Sequence, residues 1–147
     1  LSLKHNLPLQ IFRLAGIYSN ELNILKRLQL GNVQLVDKKN HFFSRIHVED
    51  IANILFKSMS NFKNNETYNI SDDKPASQME VAEYGAKLLK LETPSPIKLE
   101  KLNSEMLKNF YKDSKKVDNK KMKHFFKYNL KYPSYIEGLD YIFHDIF

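Results

Sequence analysis

Leu9-Gln10-Ile11-Phe12-Arg13-Leu14-Ala15-Gly16-Ile17-Tyr18 and, further on, Phe42-Phe43-Ser44-Arg45-Ile46-His47-Val48-Glu49-Asp50-Ile51-Ala52-Asn53-Ile54-Leu55 are the two stretches whose reading decides the fold. The first is a β-rich apolar run that breaks at Gly16, the pattern of a buried strand delivering a loop to a ligand edge. The second reads as a short strand or loop that turns into an amphipathic helix. Val48, Ile51, Ala52, Leu55 and Met59 are expected on one apolar helical face. Glu49 and Asp50 in the first turn and Lys57 near the end match the helix dipole.

Outward from these stretches, Asn20 to Leu30 carries Leu22, Leu25 and Leu28 at near-helical spacing, with Gly31-Asn32 as a stop signal. Val33 to Val36 is β-rich and is followed by the polar turn Asp37 to Asn40, so a hairpin continuing into Phe42 to His47 is expected. Thr67 to Ile70 reads as a short strand ending in Ser71-Asp72-Asp73-Lys74-Pro75. Ser77-Gln78-Met79-Glu80 is a capping box that opens a helix reaching about Leu91, with Val81, Ala82, Gly85, Leu88 and Leu89 as its buried stripe. Thr93-Pro94-Ser95-Pro96 cannot be helical. Beyond it come a candidate strand at Ile97 to Leu99 and a short helix at Ser104 to Phe110. A helix follows from Asn119 to about Phe126, capped by Asp118 or Asn119. A second capping box, Ser134 to Glu137 after Pro133, opens a terminal helix with Ile136, Leu139, Ile142, Phe143 and Ile146 on its apolar face.

At 147 residues with 42% apolar and 12% aromatic content, the chain can bury one core, and a single domain over residues 1–147 is expected. No apolar run approaches the roughly 18 residues of a membrane span, and no signal-peptide pattern opens the chain, so a cytoplasmic location without membrane association is expected. Cysteine is absent, which removes disulfide scaffolds, thiol nucleophiles and thiolate metal sites. The net charge of +6 comes mainly from lysine, clustered at Lys115, Lys116, Lys120, Lys121 and Lys123. Without a recognisable module or a basic face interleaved with aromatics, that cluster reads as solvated surface and no nucleic-acid partner is expected. No histidine pair has metal-ligand spacing on one helix face, and His5, His41, His124 and His144 read as solvent or packing residues.

These segments, in this order, resemble the C-terminal half of the extended short-chain dehydrogenase/reductase family, the NAD-dependent epimerase/dehydratase group. Leu9 to Tyr18 is similar to its sixth strand, His47-Val48-Glu49-Asp50-Ile51-Ala52 to its His-Val-Asp-Asp helix opening, and Thr67-Tyr68-Asn69-Ile70 to its Tyr-Asn-Val strand. Tyr132-Pro133 followed by Glu137-Gly138-Leu139 is similar to its closing Glu-Gly-Leu helix. The strings Phe-Arg-Leu-Ala-Gly-Ile-Tyr and Phe-Ser-Arg-Ile-His-Val are nearest to an atypical, epimerase-like branch. The resemblance implies an α/β fold: the C-terminal part of a Rossmann-like NAD(P)-binding fold with its small substrate-side lobe.

Three departures shape the functional expectation. The Gly-rich phosphate fingerprint has no counterpart, since Gly16, Gly31, Gly85 and Gly138 are too scattered to cradle a pyrophosphate. The Tyr-x-x-x-Lys pair is also absent, and it would lie on a helix ending near Ser2 to Asn6. Gly16 and Phe43 stand where nucleotide-sugar enzymes of the family often carry an asparagine and an arginine.

The chain, which opens at Leu1, is therefore expected to be part of a longer NAD(P)-dependent sugar or nucleotide-sugar epimerase/dehydratase-like oxidoreductase and inactive alone. No catalytic residue and no metal site is assigned within it. The resemblance places Leu14, Ala15, Gly16 and Ile17 against the nicotinamide end of NAD or NADP, where ordinary core packing is the competing reading. Tyr18, Arg45 and His47 are its candidate substrate-side residues, His47 also serving to fix its own loop. Arg13 inside the strand is expected to form an ion pair, and Asp72-Asp73 reads as a turn. NAD(P) is not expected to bind this chain alone. Expected partners are a small-molecule substrate such as a sugar derivative, and either the missing N-terminal half or further copies of the chain covering a raw sheet edge. A non-enzymatic α/β interaction or regulatory module that kept part of a reductase fold is the alternative.

Overall fold

The computed structural model describes residues 7–102 and 104–146. The segment Ser2 to Asn6 and His5 lie outside the described residues.

Strand β1 (Gln10–Leu14) runs into β2 (Gly16–Tyr18) with the break at Ala15, one residue before the expected Gly16, because Gly16 itself pairs with Arg45. β2 leads to helix α1 (Ile24–Gln29), whose Asn23 cap accepts the Lys26 N–H. The helix stops at Gly31, which takes a φ of 64° that a side chain would oppose. β3 (Arg45–His47) then passes directly into α2 (Val48–Ser60), capped by the His47 ring nitrogen. β4 (Glu66–Ile70) precedes α3 (Gln78–Leu89), where both hydrogen bonds of the Ser77/Glu80 capping box form. A 3-10 turn at Leu99–Lys101 and the short helices α4 (Glu105–Phe110) and α5 (Lys120–Phe126) lead to the terminal helix α6 (Tyr135–Ile146).

Both strand pairs are parallel: β1 lies beside β4 in the register Gln10↔Glu66 to Leu14↔Ile70, and β2 beside β3 in the register Gly16↔Arg45 to Tyr18↔His47. Each pair is joined through a helix, as parallel pairing requires. The expected hairpin between Val33–Val36 and Phe42–His47 does not form. Val36 bridges Ile97 and Phe43 bridges Ala76 instead, because Val33, Leu35 and Val36 are buried against different neighbours than a hairpin would supply.

Two main clusters form the interior. Tyr18, α1, α3 and α6 enclose Leu25, Val81, Ala82, Leu139 and Ile142, while β3, β4, α2 and α5 enclose Ile46, Ile54, Tyr68, Ile70, Met122 and Phe126. The α1–α3 approach is close enough that a Cβ on Gly85 would lie 3.0 Å from Leu28. A smaller cluster joins Val36, Phe43, Leu102 and Tyr111.

Three local expectations are corrected. β1 is not a buried strand: Ile11 and Leu14 are 44% and 45% exposed, and only the face carrying Phe12 packs on the core, while the face shared by Ile11 and Arg13 is exposed. The inward face of α2 is Asp50, Ile51 and Ile54, so Val48, Leu55, Phe56 and Met59 point to solvent, the last two 74% and 79% exposed. Arg13 is exposed and has no ion pair among the described residues. The second capping box also differs in detail, since Ser134 Oγ accepts from Ile136 N and donates to the Glu137 carboxylate rather than pairing reciprocally with backbone. No helix among the described residues is long and apolar enough to cross a membrane.

Candidate functional site

A cleft of about 600 Å³ opens where β1 ends, lined by Leu14 to Tyr18 on one side and by α1, Phe43–Arg45, the start of α3 and the start of α6 on the others. Its wall near Lys115 is built by threading one loop along another. Lys115 N donates to Phe42 O at 2.9 Å, Val117 N donates to Ser44 Oγ at 2.9 Å, and the Ser44 hydroxyl points back to Lys115 O at 3.4 Å.

Leu14, Ala15, Gly16, Ile17, Tyr18 and Arg45 all line this cleft, and His47 stands behind it. Tyr18 is buried, donates a long 3.4 Å hydrogen bond to Ser134 O, and packs edge-on against the His47 ring at 5.0 Å. Burial raises its phenol well above the ordinary range, with the charge of Asp72 adding to the effect. His47 is 1% exposed among Tyr18, Tyr132 and Tyr141. Its Nδ1 accepts from Glu49 N at 3.3 Å, which fixes the proton on Nε2, and burial lowers its affinity for a second proton.

Arg45 spends three of its five N–H donors on the protein: Nη1 reaches Phe43 O at 3.0 Å and Ala76 O at 2.9 Å, and Nη2 reaches Gln78 Oε1 at 3.1 Å. It thereby ties β3 to the start of α3. Burial depresses its pKa, and the nearby Asp72 carboxylate is the first of the charges that oppose this.

Sequence reasoning read Asp72 as a turn residue, but the structure buries it at 1% exposure. Its backbone N–H donates to Arg45 O at 2.6 Å. Burial pushes its carboxyl up from 3.8 to about 7, against the pull of Arg45. The folded chain therefore keeps a proton that an unfolded aspartate would release, and the sign follows. This contribution to stability is present at low pH and is lost as pH rises through about 7. Urea unfolding between pH 5 and 8 should show the wild type losing stability relative to Asp72→Asn as pH rises, since the opposite contribution of the buried His41 and His47 is common to both proteins. An unchanged slope in the variant would contradict the assignment.

Arg27, Ser44, Gln78 and Lys115 also line the cleft, and sequence reasoning did not select them. Only the placement of Ser44 beside Arg45 could have flagged one of them. The lysine cluster is divided by the fold: Lys116 stacks on the Phe42 ring at 4.0 Å, Lys121 and Lys123 pair with Glu66 and Asp73, and Lys115 alone reaches the cleft.

No protein-family model matches the chain, and no curated protein matches it. Solved structures do. A conserved protein of unknown function from Silicibacter pomeroyi is 38% identical with a TM-score of 0.90, over 95% of this chain and 50% of that one. A human epimerase family protein solved with NADPH is 18% identical with a TM-score of 0.75, over 93% and 48%. The UDP-glucose 4-epimerase of Thermotoga maritima, solved with UDP-glucose, is 16% identical with a TM-score of 0.75, over 97% and 47%.

The chain has the fold of the C-terminal half of an NAD-dependent epimerase/dehydratase. It spans about half the length of the solved structures it matches. Within this epimerase/dehydratase fold, β1 and β4 are parallel strands of the Rossmann-like sheet, and α1, α3 and α6 form the smaller lobe on the other side of the cleft. The residues present fit only part of a dinucleotide. Leu14 and Ile17 are half-exposed apolar groups, and Gly16 between them is exposed and has no side chain to obstruct a planar ring. No cluster of glycines at a helix start offers backbone N–H groups to a pyrophosphate among the described residues.

Proposed function

We propose that residues 1–147 form one domain, the substrate-side portion of an NAD(P)-dependent epimerase/dehydratase-like oxidoreductase acting on a small molecule such as a sugar derivative. The observation that carries this reading is the position of the cleft at the carboxyl end of β1, where ligands of open parallel sheets bind. NAD(P) would supply the hydride acceptor and donor. Leu14, Ala15, Gly16 and Ile17 would lie against its nicotinamide end, and Tyr18 and Arg45 would face the substrate, with His47 holding Tyr18 from behind. The described residues present no acid/base pair to this cleft and no phosphate cradle, so the chain alone is proposed to be inactive.

The open edge of β1 and the outward α2 face of Val48, Leu55, Phe56 and Met59 are the surfaces an N-terminal half would cover. Mixing the chain with the N-terminal half of the Silicibacter pomeroyi protein is the direct test, read by NADH and NADPH fluorescence. The complex should bind the dinucleotide where this chain alone does not, and Phe56→Glu should block assembly without lowering the Tm of the chain. Stable assembly with no dinucleotide binding would favour a non-enzymatic module instead.

A further inference from the structure

The ionisable groups of the cleft are unbalanced: Arg27, Arg45 and Lys115 line it together with Tyr18 and Tyr135, and no carboxylate does. Some cations elsewhere in the chain are held close to a carboxylate, as Lys63 and Lys121 on Glu66, Lys123 on Asp73 and Lys131 on Glu49. Arg45 is committed to two carbonyls and Gln78, and the buried Asp72 carboxyl near it is pushed up to about 7. Arg27 and Lys115 are not committed in this way. Arg27 is exposed on the last turn of α1, and its Nη2 makes a 3.4 Å bond to Asn32 O. Lys115 stands on a separate loop, with Asp113 3.8 Å away and both side chains largely in solvent. The walls of the same cleft also include Ile24, Phe43, Val81 and Leu139. Apolar walls lower the local dielectric and focus the field of such cations into the space they enclose.

We propose that the cleft takes an anionic substrate and that Arg27 and Lys115 hold its phosphate or carboxylate from two different elements, with Arg45 contributing positive potential behind them. The proposal rests on the reading of this cleft as the substrate site. The volume of about 600 Å³ suits a single charged sugar-sized molecule beside a nicotinamide ring. A guanidinium and an ammonium differ in geometry. Arg27 would grip two oxygens of the anion in parallel, and Lys115 would act as a point charge.

The test is calorimetric titration of the 147-residue chain at fixed ionic strength with glucose 6-phosphate, glucuronate, inorganic phosphate and glucose. At least one of the three anions is expected to bind and neutral glucose is not; the preferred anion tells phosphate from carboxylate. Arg27→Gln and Lys115→Gln should each weaken that binding about tenfold, as loss of one charge-assisted contact does. Arg27→Lys should retain part of it, and all three variants should keep the wild-type Tm because both side chains are exposed. Lys120→Gln, a fully solvated lysine outside the cleft, should leave binding unchanged. Binding of no anion, equal binding of glucose, or equal weakening by Lys120→Gln would overturn the proposal. No cofactor takes part, so the two readings fail separately. Anion binding without any dinucleotide binding in the assembled protein would sink only the oxidoreductase reading, and the reverse result only this one.

Discussion

Replacing Asp50 with alanine is expected to remove about 3–5 kcal/mol of folding stability, a large share of the margin of a domain this size. Asp50 is 0% exposed, and its carboxylate accepts from Tyr128 Oη at 2.7 Å, Lys131 N at 2.7 Å and Tyr132 N at 3.0 Å. Two of these donors are backbone groups that no rotamer change can redirect, so alanine leaves the part-buried Lys131 N–H and the buried Tyr132 N–H without this partner. Neither hydrogen bond nor burial alone explains the size of the effect. It comes from the asymmetry between a satisfied carboxylate and orphaned donors in a low dielectric. Asp50→Asn keeps the shape and one acceptor oxygen, and should lose about half as much. Urea denaturation with an unchanged m value is the measurement. A loss under about 1 kcal/mol for the alanine variant would show that the Lys131–Tyr132 loop is held by something else.

Gly138→Ala is the second large effect, and it links stability to the cleft. An added Cβ would sit 2.0 Å from Tyr18 Oη and 2.6 Å and 2.7 Å from its ring carbons, far inside contact distance. Tyr18 cannot swing aside freely, since its ring is buried against His47 and its hydroxyl points at Ser134 O. Either α6 moves off β2 or the tyrosine is pushed toward the cleft it lines. Overpacking of this kind costs about 1–3 kcal/mol, which in a chain of this length is a Tm drop of roughly 5 °C. Tyr18→Phe in the same background should recover only part of it, because the ring carbons at 2.6 Å and 2.7 Å remain. Thermal melts of the two single variants and the double variant give the coupling. Simple additivity would mean that the glycine and the tyrosine do not meet as described.

The same pair shows why the candidate site was only partly legible beforehand. Tyr18 and Arg45 could be singled out because they lie in the two segments that carry the resemblance to the epimerase/dehydratase family. Arg27 and Lys115 carried no such signal. One is an ordinary residue in the last turn of a short helix and the other the first of a run of lysines. Both reach the cleft only because α1 packs on α3 and because the loop before α5 is threaded along Phe42 and Ser44.

What the sequence determined by itself is what short-range physics controls. The Ser77/Glu80 capping box, the stop at Gly31 and the start of α2 at His47 each depend on groups within four residues of one another. Those local choices set the order of the elements, and the resemblance that the ordered segments carry implied the α/β class. Tertiary structure alone decided which side of α2 turns inward, that Val33–Val36 joins Ile97 rather than a hairpin partner, and that Asp72 is buried beside Arg45. Those outcomes depend on long-range neighbours. An apolar stripe says that a face wants covering, but β1, β4 and α5 decide which face is covered here, and the periodicity of α2 does not record how much of the sheet lies beside it.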